Sequence, residues 1–130
     1  MANSFTQAGD YFVSALDGND SNAGTADAPF KTITAAVSAV ISAGDTTSKK
    51  IIVGTGVYNE SVISSSTSYR YHFIGDGNAI LDGSDLATDY GFYNCHNAII
   101  QNFTFRNYSN VSSANGNVGK PGFVKNCTIL

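Results

Sequence analysis

Charged residues are scarce in this sequence, and its few cations are dispersed. Only 13% of the 130 residues are charged, about half the usual share of a globular protein. Seven basic residues are scattered along the chain against ten acidic ones, so the clustered positive charge of a nucleic-acid-binding protein is absent. No apolar run approaches the ~18 residues of a membrane span. We therefore expect neither a nucleic-acid partner nor membrane insertion.

Cysteine is also scarce. Cys95 and Cys127 are the only two, and they show neither Cys-x-x-Cys spacing nor a cluster with histidine of the kind that binds zinc. We interpret both as small buried apolar residues, with a disulfide as the alternative, so the redox compartment stays undetermined. The first residues lack the basic and apolar regions of a secretory signal. We expect either no export by that route or a signal outside this sequence.

Residues 1–50 predict a strand, a loop and a single helix. Residues 11–14 are β-prone, and the stretch that follows is dense in turn formers. Thr32 is a good N-cap, apolar residues then recur at helical spacing, and Gly44 stands where a C′ glycine belongs. These signals predict one helix of about three turns, from Ile33 to Ala43.

Residues 51–130 predict an all-β remainder with an internal repeat. Short β-branched and aromatic runs are broken by Gly and Asn, and they align with one another at an offset of 24 residues. The offset forms three columns: Val57, Leu81, Phe105 and Ile129; Thr55, Ala79, Phe103 and Cys127; Asn78, Asn102 and Asn126. The pair Ile51-Ile52 aligns better with Phe73-Ile74 at an offset of 22 residues, and we attribute this difference to insertions in the loops between repeats.

A coil that returns to the same place about every 24 residues explains these columns. Each residue then lies one parallel-strand spacing, ~4.8 Å, from its equivalent, so apolar columns fill the interior. The asparagine amides can hydrogen-bond along the axis where the strand bends. The prediction is one domain, with a parallel coil of about four rungs over residues 51–130.

The segment YFVSALDGNDSNAGTADAPFKTITAAVSAVISAGD, residues 11–45, resembles the opening of the pectate-lyase-like right-handed parallel β-helix superfamily. That superfamily includes polysaccharide lyases, related hydrolases and phage tailspike or fibre proteins. The resemblance implies a right-handed parallel β-helix whose amino-terminal helix caps the coil and covers its open edge. Lyases of the superfamily use calcium-binding Asp residues and a Lys or Arg base, but those positions cannot be mapped onto this chain, so no catalytic residue is assigned.

Two groups of carboxylates are candidate sites. Asp17, Asn19, Asp20 and Asn22 offer hard oxygen ligands at alternating positions, and the first three are the preferred calcium ligands. Calcium is the one cofactor considered, but the EF-hand pattern fails and a structural Asx-turn loop is the preferred interpretation. The densest carboxylate group comprises Asp76, Asp82, Asp85 and Asp89. At the 24-residue offset Asp82 lies beside Arg106, which favours an ion pair between rungs over the paired carboxylates of a glycosidase.

Tyrosines on outward positions form a candidate sugar-binding surface, because aromatic faces stack on sugar rings. The candidates are Tyr58, Tyr69, Tyr71, Tyr90, Tyr93 and Tyr108, of which Tyr69, Tyr71, Tyr90 and Tyr93 are preferred. The alternative is that most of them pack against the fold. His72 and His96 have no nucleophile pattern nearby and are interpreted as surface or turn residues.

The function expected from these observations is a structural or attachment module of a phage-type virion protein: a tailspike, a fibre or a capsid-associated piece that contacts surface glycans. The alternative is the amino-terminal part of a carbohydrate-active enzyme such as a polysaccharide lyase, which would be extracellular. Expected partners are further copies of the chain, with a trimer favoured, other virion proteins, or a polysaccharide. The last strand has no capping element after it, so we expect either more chain or a partner subunit to cover it.

Overall fold

The structure is a computed structural model that describes residues 5–66, 68–84, 90–93, 95, 98–108, 110–112 and 123–130; for 90, 93, 110–112, 123, 124 and 129 it describes the backbone alone. The described part is mostly β, as predicted, with one short helix. Its elements are β1 (Tyr11–Val13), α1 (Ile33–Ala43), β2 (Lys49–Tyr58), β3 (Val62–Ile63), β4 (Tyr71–Asp82), β5 (Tyr90–Tyr93), β6 (Ile99–Arg106), β7 (Asn110–Ser112), β8 (Phe123–Lys125) and β9 (Thr128–Ile129). No helix among the described residues has the length and apolar character needed to cross a membrane.

Helix α1 begins and ends where the sequence predicted. The Thr32 hydroxyl accepts a hydrogen bond from the Ala35 N–H at 3.1 Å, and Gly44 takes a left-handed conformation with φ of 71° while its N–H bonds to the Ile41 carbonyl. The buried face of α1 is apolar and packs against β1, β2 and β3. The prediction of this helix is confirmed, including both caps.

The strands form two parallel sheets. The order in the first sheet is β1-β2-β4-β6-β8, with β9 also paired to β6, and the order in the second sheet is β3-β5-β7. Every strand pair among the described residues is parallel. From β2 to β8 the chain alternates between the sheets and adds one parallel strand to each in turn.

The register of the strands corrects two of the three predicted columns at their first position. Leu81 lies opposite Phe105, and Phe105 lies opposite Ile129, both at 24 residues. Val57, however, lies opposite Ile80, and the partner of Leu81 in β2 is Tyr58. In the second column Ala79 lies opposite Phe103, but its partner in β2 is Gly56 and not Thr55.

These shifts arise at an irregularity inside the strands, not in loops between them as predicted. Ile74 lies opposite Gln101 and Ala79 opposite Phe103, so residues 75–78 of β4 face only Asn102 of β6. Such a bulge bends the strand. The bulge in β4 also explains the change in offset between paired residues of β2 and β4, which is 22 up to Gly54 and 23 from Gly56 onward.

Asparagine also occurs at this bend in the later repeats, but its role there differs from the predicted hydrogen bonding between stacked amides. Asn102 and Asn126 have left-handed backbones, with φ of 66° and 50°, a conformation that asparagine tolerates better than most residues. In β4 the positive φ, 96°, belongs to Gly77 instead of Asn78. No hydrogen bond joins the side chains of Asn78, Asn102 and Asn126 in the described part of the chain, so the expected axial hydrogen bonds were a wrong prediction.

The core lies between the two sheets and is rich in phenylalanine. Phe92 of the second sheet lies against Phe73, with ring centroids 4.6 Å apart, and contacts Phe103 and Phe105 of β6 edge-on at 6.1 and 6.0 Å. Leu81 and Phe105 are both buried. Cys95 is buried and Cys127 half-buried, and both are free thiols.

Candidate functional site

Glu60, which follows β2, binds the amino terminus of α1. Its carboxylate accepts hydrogen bonds from the N–H groups of Ile33 and Thr34, each at 2.9 Å, and from the Thr34 hydroxyl at 2.7 Å. The first N–H groups of a helix have no partner within the helix, so this carboxylate satisfies two of them. Burial raises the pKa of Glu60, although the three hydrogen bonds act in the opposite direction. Glu60 therefore ties the end of β2 to the helix.

The three predicted calcium ligands each bind a different part of the protein. Asp20 accepts hydrogen bonds from the N–H groups of Lys31 and Thr32, both at 2.9 Å, and from the Thr32 hydroxyl at 3.0 Å. Asn19 accepts one from the Ser21 N–H at 2.8 Å, which is an Asx turn, and Asp17 accepts one from the Ser14 hydroxyl.

These contacts use the oxygens of Asp17, Asn19 and Asp20 to hold the loop and the start of α1. Within the described residues, no group of three or more His, Cys, Asp and Glu side chains is placed to hold a metal ion. The Asx turn at Asn19 agrees with the preferred interpretation of this loop.

A pocket of about 200 Å³ lies between this loop, the start of α1 and the end of β2. Its lining residues are Ala15, Lys31, Thr32, Val57, Tyr58, Asn59 and Glu60. Val57 has 49% of its surface exposed, whereas Tyr58 is buried at the bottom with its hydroxyl donating to the Gly54 carbonyl at 2.8 Å. The pocket therefore offers apolar surface with an exposed Lys31 beside it.

A polar cluster continues from the pocket along the ends of β4 and β6. Asp82 lies opposite Arg106 in register, and their Oδ2 and Nε atoms are 2.8 Å apart. The Asn107 amide donates to Asp82 Oδ1 at 2.8 Å, and the Ser84 hydroxyl donates to the same atom at 2.7 Å. These hydrogen bonds, with that of Arg106, hold the pKa of Asp82 well below its usual range. Asn59 joins the cluster to β2 by donating to the Asp82 and Ser84 carbonyls.

The structure does not bring Asp76 and Asp82 together as a carboxylate pair. Asp76 lies in the bulge in the middle of β4 and accepts hydrogen bonds from Thr6 and Gln7, whereas Asp82 is the last residue of the strand. The other two members of the predicted group, Asp85 and Asp89, lie outside the described residues.

The predicted outward tyrosines are mostly not outward. Tyr71 is buried, stacks on Phe73 at 5.3 Å, and shares a 2.8 Å hydrogen bond with the Ser64 hydroxyl, so its assignment to a sugar-binding surface was wrong. Tyr58 is also buried, and Tyr69 is half-buried against the core. The side chains of Tyr90 and Tyr93 lie outside the described part of the molecule.

Two contacts of the candidate site, those of Glu60 and Tyr108, could not be foreseen from the sequence. Glu60 is the sole glutamate of the chain, which was the only available signal in the sequence. Tyr108, taken as an outward residue, donates its hydroxyl proton to the Glu60 carbonyl and is half-buried beside Phe105, with ring centroids 6.4 Å apart.

His72, interpreted as a surface residue, pairs with the Gln101 side chain at 2.8 Å, and His96 lies outside the described residues.

Comparison with known proteins gives one partial match. A family model described as "Protein of unknown function (DUF1565)" matches residues 16–65, and this family is associated with right-handed β-helix proteins. No curated protein and no solved structure shows a significant match to the chain. The matched range contains α1, β2, β3 and every pocket residue except Ala15. The capped end of the described structure is therefore the part of the chain that the family model matches.

Proposed function

We propose that the chain is a right-handed parallel β-helix of about four rungs that serves as a rigid attachment module of a phage-type virion protein. The observation that carries this proposal is the regular alternation between two parallel sheets, with a 24-residue register from Leu81 to Phe105 to Ile129. A coil adds one strand to each sheet per turn, which is the order observed here. The similarity of residues 16–65 to a family associated with β-helix proteins supports the same fold.

The use of the carboxylates supports attachment in preference to catalysis. Asp20 and Glu60 hold the start of α1, Asp76 holds the amino-terminal residues, and Asp82 joins neighbouring strands. A catalytic carboxylate must instead reach the substrate with a lone pair or a proton. These four side chains are built into the structure, as expected of a stiff support.

The surface that we propose for glycan contact is the outward row Val57, Ile80, Thr104 and Thr128, with Lys31 and Arg106 beside it. Val57 lies opposite Ile80, Ile80 opposite Thr104, and Thr104 opposite Thr128, so the row repeats at about the 4.8 Å strand spacing. Flat aliphatic and hydroxyl groups at a regular spacing can contact successive sugar units of a linear polysaccharide. This surface replaces the buried Tyr71 of the sequence prediction.

The functional test is incubation of the chain with a panel of neutral and acidic polysaccharides, followed by both binding and product measurements. We expect retention of an intact glycan, with weaker retention by Lys31→Ala and Arg106→Ala and unchanged retention by Lys49→Ala, a cation paired with Asp45 elsewhere. A trimeric mass in solution would agree with a virion component. Release of unsaturated products that absorb near-ultraviolet light would overturn attachment in favour of a polysaccharide lyase.

A further inference from the structure

Residues 5–10 form an arm that lies on the outer face of the first sheet. At one end, Asp76 accepts hydrogen bonds from the Thr6 N–H at 2.6 Å, the Thr6 hydroxyl at 2.7 Å and the Gln7 N–H at 3.3 Å. At the other end, the Asp10 N–H donates to the Lys50 carbonyl at 2.9 Å, and the Asp10 carboxylate accepts from the Lys50 N–H at 2.8 Å. The arm is thus held at both ends by polar contacts.

An apolar strip lies beneath the arm. Ile52 and Ile74 are 0% and 3% exposed, although they are opposite each other on the face of the sheet that points away from the core cluster. Phe12 lies opposite Ile52 and receives the Phe5 ring edge-on, with ring centroids 4.9 Å apart. We call this surface the arm groove: Phe12, Ile52 and Ile74, with Asp76 and Lys50 at its ends.

The arm groove fits an extended segment of a particular sequence. The Asp76 carboxylate binds two consecutive N–H groups together with a hydroxyl, which favours Thr or Ser followed by a residue other than proline. Further along, only glycine fits over Ile52, because a Cβ built on Gly9 would lie 2.5 Å from Ile52 Cγ1. The groove therefore recognises the arm's own sequence by both charge and shape.

We propose that the arm groove is a peptide-docking site that also accepts the arm of a second copy of this chain, so that exchanged arms link neighbouring copies. An exchanged arm makes the same contacts as the resident one, which is why exchange of identical elements is a low-cost route to association. Six extended residues reach about 20 Å, enough to cross to an adjacent molecule. The arm's hydrogen bonds lie among exposed groups, a setting in which local opening requires little free energy. This inference does not depend on the proposed attachment function.

The test uses the 130-residue chain, its variants and a fluorescent peptide of residues 5–10, the arm itself. In the variant Gly9→Leu the resident arm no longer fits, so the groove becomes available and the peptide should bind at least about tenfold more tightly than to the wild type. Adding Asp76→Asn to that variant should remove the gain, and a peptide carrying Gly9→Leu should not bind any of the chains. Equal binding of the peptide to all three chains, or binding to none of them, would overturn the proposal.

A second measurement keeps the proposal testable if the double variant folds poorly. The single variant Asp76→Asn has an intact arm and a damaged groove. The single variant Gly9→Leu has a damaged arm and an intact groove. Mixing the two should give a heavier species than either variant alone in sedimentation experiments, because the intact arm of one docks in the intact groove of the other. A mixture whose mass distribution equals the average of the separate samples would contradict arm exchange.

Discussion

Replacement of Phe105 by alanine should remove a central side chain of the core between the two sheets. Phe105 is 1% exposed, lies between Leu81 and Ile129 in register, and contacts the rings of Phe92 and Tyr108. A buried Phe→Ala change loses the transfer free energy of the ring and leaves a cavity, at about 3–5 kcal/mol. Because a whole domain is stable by only about 5–15 kcal/mol, this variant should lose a large part of its stability. In a chain of this size the loss corresponds to a decrease in Tm of roughly 10–20 °C.

Urea denaturation followed by circular dichroism measures this loss, and Thr104→Ala is the matched control. Thr104 is the neighbouring residue on the same strand, but it points outward and is half-exposed, so its replacement should change the free energy of unfolding by less than about 1 kcal/mol. The urea midpoint should fall strongly for Phe105→Ala and little for Thr104→Ala, with similar m-values. Equal midpoints for the two variants would refute the assignment of which face of β6 is buried.

Three further variants test the site and the bend. Burial raises the pKa of Glu60, so the folded state binds the carboxyl proton more tightly than the unfolded state does. As the pH rises above about 4, the stability of the wild type should therefore fall relative to that of Glu60→Gln. A difference between their urea midpoints that does not change with pH would contradict this. The pKa of Asp82 is lowered by Asn107, Ser84 and Arg106, so the advantage of the wild type over Asp82→Asn should be present at pH 7 and disappear as the pH falls below about 4. Asn102 has a left-handed backbone, so Asn102→Val should destabilise the chain by about 1–2 kcal/mol while Asn102→Gly leaves its Tm nearly unchanged; similar Tm values for both would exclude backbone strain at this bend.

Helix α1 could be predicted from the sequence because all its signals are local. Thr32, the apolar spacing and Gly44 act within a dozen residues, and together they set both ends. The 24-residue offset likewise predicted the pairing of β6 with β8 and β9 and of the second half of β4 with β6. It failed where residues 75–78 bulge, because nothing in a repeat search distinguishes a bulge within a strand from an insertion in a loop.

The site was less predictable because its contacts connect distant parts of the chain. Glu60 binds N–H groups 26 and 27 residues away, and Tyr108 reaches the Glu60 carbonyl across 48 residues. Tyr71 was assigned to an outward position where its ring could stack on sugars, yet it is buried and its hydroxyl group hydrogen-bonds with that of Ser64. Which tyrosines are buried depends on register and on partners from other strands, and neither is local.

The measurement that tests the parallel coil most directly is a set of cross-strand proton contacts from nuclear magnetic resonance. Parallel pairing predicts backbone contacts that link Val57 with Ile80, Ile80 with Thr104, and Thr104 with Thr128. Ring contacts between Phe92 and Phe73 should join the second sheet to the first in the same molecule. The coil would be contradicted by a series of contacts in which residue numbers rise along one strand and fall along its neighbour, as antiparallel pairing requires. It would also be contradicted if Thr104 contacted neither Ile80 nor Thr128.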